Sequence, residues 1–299
     1  MEMYISRFLK NRQMNRYLYI FITVALLLLG FTSKAQTAES LFWLSDSLQV
    51  NEVASDVADL IEALGHKGPA VENSHMALRM YFDDSGAIDV YSKTGRGMEL
   101  LSYLWNPTEG QQDTLAVGCD AYEVGKTLGL GGVALWDGEK IVPVAATNGR
   151  TARVGSTKKG SFAELISYGV AYGDDMVNIS VRIDMNAKSR EAQVTVQELS
   201  GKKVRFVTGV NWHQGQKVTN GDGYISVWGP HPSTDGRKPF AVGGGLIYSV
   251  KAFPSAEKTD DMVRIISVPT DGFKTTIISS STKEAELNNA KRFEAYMTK

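Results

Sequence analysis

The chain has 299 residues, a formal net charge of −1 at pH 7 and 43% hydrophobic residues. That balance argues against a nucleic-acid partner, which needs a basic excess on some face. The single cysteine, Cys119, excludes an internal disulfide and a cysteine-rich metal site, so a hydrophobic core must hold the fold.

Arg7, Lys10, Arg12 and Arg16 precede an apolar run of about 14 residues, and Ser33 and Ala35 supply the small residues of a cleavage site. Residues 1–35 are therefore expected to be a secretory signal, because a membrane span takes about 20 apolar residues. A periplasmic or secreted protein with no integral span after cleavage follows, with residues 36–299 as one domain. Val57, Leu60, Ile61 and Leu64 recur at helical spacing before Gly65 and predict a short helix over Ser55–Leu64. From Val71 the pattern turns to strands: "MALRMYF", "AIDVYSK", "ELISYGVAY", "MVNISVRIDM", "EAQVTVQEL", "VRFVTGVNW", "GYISVW", "GGLIYSV", "VRIISVP" and "KTTIISSS". Turn signals separate most of them, and nothing between them reads as a crossover helix. A last helix is expected from "STKEAELNNAKRFEAYM", with Ser281 and Glu284 as a capping box and Leu287, Ala290, Phe293 and Met297 as its apolar stripe. The fold class is all-β, an antiparallel β-sandwich with short peripheral N- and C-terminal helices.

The stretch "VENSHMALRMYFDDSGAIDVYSK" carries the functional question. A hairpin with the loop Asp84-Ser85-Gly86 pairs Phe82 with Ile88, Met80 with Val90 and Leu78 with Ser92. One face is then apolar. The other holds His75, Arg79, Tyr81, Asp89, Tyr91 and Lys93, with Arg79 beside Tyr91 and Tyr81 beside Asp89. Such a face is either the wetted side of an antiparallel sheet or a concave sugar-binding face. Tyrosine rings stack on sugars, and an arginine fork clamps a carboxylate.

"DAYEVGKTLGLGGVALWDG" is superficially like a phosphate loop, but Asp120 stands where that motif requires glycine and no strand-then-helix context surrounds it. Its glycines permit sharp bends or close backbone approach, with Tyr122 and Lys126 pointing into a site or Lys126 lying in solvent. His66, His75, His213 and His231 lack metal-ligand spacing, so neither a metal nor a cofactor is expected. His213 and His231 each follow a strand beside a tryptophan, Trp212 and Trp228. They are either loop residues or an acid–base pair titrating near neutral pH.

Together, "GHKGPAVENSHMALRMYFDDSGAIDVYSK", "DAYEVGKTLGLGGVALWDGEKIV", "RTARV", "FVTGVNWH" and "YISVWGPHP" resemble a secreted bacteroidal family known only as a domain of unknown function, the DUF 4861 type. The resemblance implies a galactose-mutarotase-like supersandwich. It also implies work beside enzymes that degrade uronate-rich polysaccharides, and similarity to an ulvan oligosaccharide dehydratase that removes water from a terminal uronate. Longer members carry a further N-terminal sandwich portion from which this chain departs before His66. The implied partner is an oligosaccharide substrate. His213, His231, Tyr81 and Tyr122 are candidates for acid–base catalysis. Arg79, Lys126, Tyr91, Trp212, Trp228 and His75 are candidates for substrate binding. A hydrolase or epimerase on the same sandwich, and a non-catalytic glycan-binding protein, remain as alternatives.

Overall fold

The computed structural model describes residues 36–233 and 238–299, so the expected signal over 1–35 lies outside the described residues. The strands in chain order are β1 (Thr37–Ser40), β2 (Glu52–Ser55), β3 (Ala70–Asn73), β4 (Ala77–Met80), β5 (Ile88–Tyr91), β6 (Ala134–Trp136), β7 (Ile141–Val142), β8 (Arg150–Ser156) and β9 (Gly160–Tyr172). They continue as β10 (Asp175–Asn186), β11 (Ala192–Glu198), β12 (Phe206–Asn211), β13 (Lys217–Gly221), β14 (Tyr224–Pro230), β15 (Ala241–Ile247), β16 (Ala256–Lys258), β17 (Met262–Ile266) and β18 (Gly272–Ser281). Three short α-helices accompany them among the described residues: α1 (Leu100–Tyr103), α2 (Glu109–Leu115) and α3 (Ala290–Met297).

The strands form an all-β sandwich. One layer is a nine-stranded sheet in the order β13-β14-β15-β18-β11-β10-β9-β8-β2. Its β9 and β10 pack on a four-stranded sheet, β1-β3-β4-β5, and its β14 and β15 pack on a five-stranded sheet, β16-β17-β12-β6-β7. Period-two alternation explains the core. Ile179, Val181, Ile183 and Met185 of β10 point inward, and they share one apolar cluster with Leu78, Met80, Ile88 and Val90 of the small sheet and Phe206 and Val210 of the third.

The glycine-rich segment joins the two smaller sheets. Leu130 N–H donates to Ile88 O at 3.0 Å, and Gly131 N–H donates to Gly209 O at 2.8 Å, so residues 129–131 are stitched between β5 and β12. A Cβ at Gly129 would stand 2.1 Å from Ile88 O, and its φ is +66°. The close approach is therefore to a neighbouring strand rather than to a phosphate.

The ten sequence-read strands all form, but several local expectations are corrected. No helix spans Ser55–Leu64. Ser55 Oγ accepts Val57 N–H at 3.0 Å and Asp59 Oδ1 accepts Ile61 N–H at 3.0 Å, and such local turns compete with helix. Ser281 does not cap the last helix, since it ends β18 opposite Val242. Glu284 instead pairs with Arg190 at 2.5 Å and accepts Leu287 N–H at 2.6 Å, and α3 starts later under an Asn289 cap. The first hairpin pairs Leu78 with Val90, Arg79 with Asp89 and Met80 with Ile88, two residues from the expected register. Phe82 causes the slip: its N–H donates to Lys67 O at 2.9 Å and its carbonyl accepts Leu60 N–H at 3.0 Å, which takes it out of the hairpin. An even slip preserves both faces, so the polar face stays as expected.

Gly129→Ala and Gly125→Ala separate strain from collision. Both positions have positive φ, but nothing lies within 4 Å of a Cβ at Gly125. Urea unfolding is expected to show a loss of about 1–2 kcal/mol for Gly125→Ala and at least about 2 kcal/mol more for Gly129→Ala.

Candidate functional site

The polar face of β4 and β5 is not an open surface, since Arg79, Asp89 and Tyr91 are all buried. The chain leaves β5 and returns across that face as an excursion, residues 94–125, held by buried ionic groups. Lys93 pairs with Glu72 and donates to Gly97 O. The Glu72 carboxylate also accepts N–H bonds from Glu99, at 2.8 and 2.9 Å, and from Leu100 at 2.7 Å, which fixes the start of α1. Tyr91 donates to Glu99 Oε2 at 2.9 Å, and that oxygen accepts Gly118 N–H at 2.7 Å. Trp105 lies beneath the face, 5.4 Å from the Tyr91 ring and 4.4 Å from the Arg79 guanidinium.

Between this excursion and the sheet lies a cavity of about 670 Å³, within the range of small-molecule sites. Arg79 is its ionic centre. Its Nε and Nη2 donate to Asp89 Oδ2 at 2.8 and 2.5 Å, and Nη2 also donates to Asp120 Oδ2 at 3.0 Å. Tyr81 donates to the same Asp89 oxygen at 2.8 Å. Burial alone would ease the proton off Arg79, but Asp89 and Asp120 more than offset it and hold the guanidinium charged. Burial, and then the negative charge of Asp89, push the Asp120 carboxyl up to about 7, although Arg79 and Lys67 pull it down. Burial and Asp89 also keep the Tyr81 phenol protonated. Asp120 is thus the group in the cavity that exchanges a proton near neutral pH.

His231 lines the same cavity, but its Nδ1 accepts Glu123 N–H at 3.2 Å, and burial followed by the neighbouring His213 lowers it to about 3. It is a neutral imidazole. His213 does not line the cavity: its Nε2 donates to Glu123 O at 3.0 Å, and its ring lies 4.8 Å from that of His231. Asn211 donates to the same carbonyl at 2.7 Å. The two histidines therefore clamp one backbone residue. Tyr122 borders the cavity, while its hydroxyl is sealed in the core without a partner and burial raises its pKa well above 10.

The structure brings Arg79, Tyr81, Tyr122 and His231 to one cavity. It places the other candidates elsewhere. Tyr91 is buried against Trp105 and bonded to Glu99, so it anchors the excursion. Lys126 is exposed and lines a different groove with Asp84 and Thr259. Trp212 donates Nε1–H to Thr259 O at 2.9 Å beneath Lys258. Trp228 is 8% exposed and packs on Phe293 of α3. His75 is bound by Arg96 at 2.5 Å, outside the cavity. Sequence reasoning missed Asp120, seen only as the residue in a glycine's place, and also the excursion that makes Asp89 and Lys67 part of an enclosed wall. Among the described residues, no three His, Cys, Asp or Glu side chains converge to hold a metal ion. No described helix is long and apolar enough to cross a membrane.

Residues 34–299 match the family model described as Domain of unknown function (DUF4861), and the chain belongs to that family. No curated protein matches it. Among solved structures, the 4-alpha-glucanotransferase of Thermococcus litoralis is similar at 10% identity and a TM-score of 0.34, over 72% of this chain and 39% of that one.

Two measurements test this geometry. Lys93→Met leaves the Glu72 carboxylate buried and unpaired, and a loss of about 3–5 kcal/mol in urea unfolding is expected. The second concerns acid. The folded pKa of His231 lies below its unfolded value of 6.5, so stability is full above 6.5 and falls as pH drops toward about 3. Asp120, raised from 3.8 to about 7, works the other way, because the folded state takes up its proton first on acidification. Asp120→Asn is therefore expected to steepen the loss of stability between pH 7 and 4, by at most about 1.4 kcal/mol per pH unit.

Proposed function

We propose that the protein is a periplasmic or secreted carbohydrate-active enzyme that acts on uronate-containing oligosaccharides by acid–base β-elimination, as a lyase or dehydratase. The observation that carries this reading is Asp120, a carboxyl raised to about 7 and held by Arg79 inside the cavity. A group of that pKa is populated both as base and as acid at neutral pH, which suits proton transfer in both directions.

Elimination breaks the C5–H and C4–O bonds of a uronate and forms the C4=C5 double bond. Asp120 as carboxylate takes the C5 proton. The electron pair left on carbon forms the double bond as the C4–O bond breaks. The same proton then passes from Asp120 to the departing oxygen, which leaves as water if that oxygen is a free hydroxyl. Asp120 ends as it began.

The transition state places extra negative charge on the substrate carboxylate, so a cation must face it. Lys67 lines the cavity with its Nζ 5.3 Å from the centroid of the Tyr81 ring, and its charge already acts on Asp120. Arg79 commits Nε and Nη2 to Asp89 and Asp120, which makes it a positioning residue rather than the carboxylate clamp. The Tyr81 ring carries the Lys67 ammonium, and its hydroxyl keeps its proton and donates to Asp89 Oδ2. His231, neutral at working pH, shapes the wall.

Incubation with uronate-terminated oligosaccharides is expected to give the absorbance of an unsaturated sugar and, for a dehydratase, the mass loss of one water. Asp120→Asn is expected to lower kcat by about 10²–10⁴-fold. The wild-type kcat/KM is expected to rise with pH through about 7, where the base form appears. Full turnover by Asp120→Asn removes this mechanism, and absence of unsaturated product across such substrates removes the elimination reading.

A further inference from the structure

The cavity contains the same small device twice. Lys67 Nζ lies over the Tyr81 ring at 5.3 Å, and Lys283 Nζ lies over the Phe240 ring at 4.4 Å. All four residues line the one cavity, and Lys238 joins the second pair there.

The second pair follows from strand register. Val242 pairs with Ser281 at the end of β15 and β18, and Thr282 N–H donates to Ala241 O at 2.9 Å. One more step of that antiparallel ladder sets Lys283 opposite Phe240, and Lys238 stands two residues before Phe240 in the chain. Among the described residues, none of the three lysines has a carboxylate within ion-pair distance. Glu284, next to Lys283, is turned away and paired with Arg190. The cavity as a whole is not basic, since Glu109 and Asp113 of α2 also line it. Attraction for an anion is therefore local to the two ammonium–aromatic pairs.

An ammonium resting on a ring face is already placed, so an entering anion meets it at less entropic cost than a free lysine would exact. The ring beside it supplies apolar contact for the C–H surface of a sugar whose charged group meets the ammonium. We infer that the cavity holds two charged-sugar subsites, and that the corner formed by Phe240, Lys283 and Lys238 takes a second anionic group, a carboxylate or a sulfate ester, on a sugar adjoining the reacting uronate. This rests on the elimination reading and adds a substrate class to it: oligosaccharides with a negative charge on more than one residue.

The test is calorimetric titration of the full chain carrying Asp120→Asn, so that ligands stay intact. The probes are glucuronate, a glucuronan trisaccharide and uncharged cellotriose. Glucuronan trisaccharide is expected to bind at least tenfold tighter than glucuronate, and cellotriose more weakly than either. Lys238→Gln with Lys283→Gln is expected to erase the tenfold gain and leave glucuronate binding in place, while Lys283→Arg keeps most of the gain. A chondroitin tetrasaccharide with and without its sulfate tells which anion the corner takes. Equal affinity for glucuronate and the trisaccharide, or a trisaccharide affinity indifferent to both lysines, overturns the second subsite and leaves the elimination reading standing. Failure of every acidic sugar to bind overturns both.

Discussion

The ion pair of Glu72 and Lys93, with side chains 0% and 1% exposed, is the constraint on which the cavity depends. Removing two charges from water costs several kcal/mol per ion, and their attraction offsets this only when the remaining lone pairs and protons are satisfied. Here they are satisfied by the excursion itself. Glu99 and Leu100 lend their N–H groups to Glu72, and Gly97 lends its carbonyl to Lys93. The pair is tolerable only with the excursion docked, and the excursion docks chiefly through the pair and Tyr91. Sheet face and covering segment therefore form together.

What the docked segment does is lower the polarity around Arg79. Trp105 closes one side of the guanidinium, and Asp89 and Asp120 share its donors unequally. Asp89 accepts from Arg79 Nε and Nη2, from the Tyr81 hydroxyl and from Val90 N–H. Asp120 receives one bond from Arg79. The two carboxylates are unequally supplied here, and Asp120, the less supplied one, bears both the burial and the repulsion of Asp89. The proton-exchanging group is thus set by burial first and by the neighbouring Asp89 charge second, with no need for a histidine.

Periodicity made the strands legible because most alternate apolar with polar residues, and a two-residue slip in the first hairpin does not alter which of its faces is apolar. The same fact made the polar face readable as a unit. What covers that face was not legible. Residues 94–125 show little period of either kind, since their docking runs through Glu72, Lys93 and Glu99, charged residues that in sequence read as solvent-facing. Tyr91 and Lys93 looked like binding groups for the same reason that they are structural: a buried ion network and a ligand site draw on the same residue types. Trp212 and Trp228 misled differently. An aromatic beside a strand-end histidine is ambiguous until the sheet's layer is known, and Trp228 faces α3. Asp120 carried no local signal, because its raised pKa is made by Asp89 and by enclosure, both distant in sequence.

The two histidines acquire a role once that enclosure is seen. Asp120 is tied to the four-stranded sheet through Arg79, and three residues later Glu123 is gripped by His213 and Asn211 at its carbonyl and by His231 at its N–H. Asn211 belongs to β12, so the short run from Asp120 to Glu123 bridges the two smaller sheets just ahead of the glycine-rich stitch that joins them again at residues 129–131. A segment fixed at both ends to separate sheets has little freedom to rotate its carboxyl away from the cavity. A charged His231 would spoil the arrangement: it must keep Nδ1 unprotonated to accept the Glu123 N–H, and its burial beside His213 keeps it so. The imidazoles thus act as fixed hydrogen-bonding struts, and the acid they help to place is the group whose protonation changes near neutral pH.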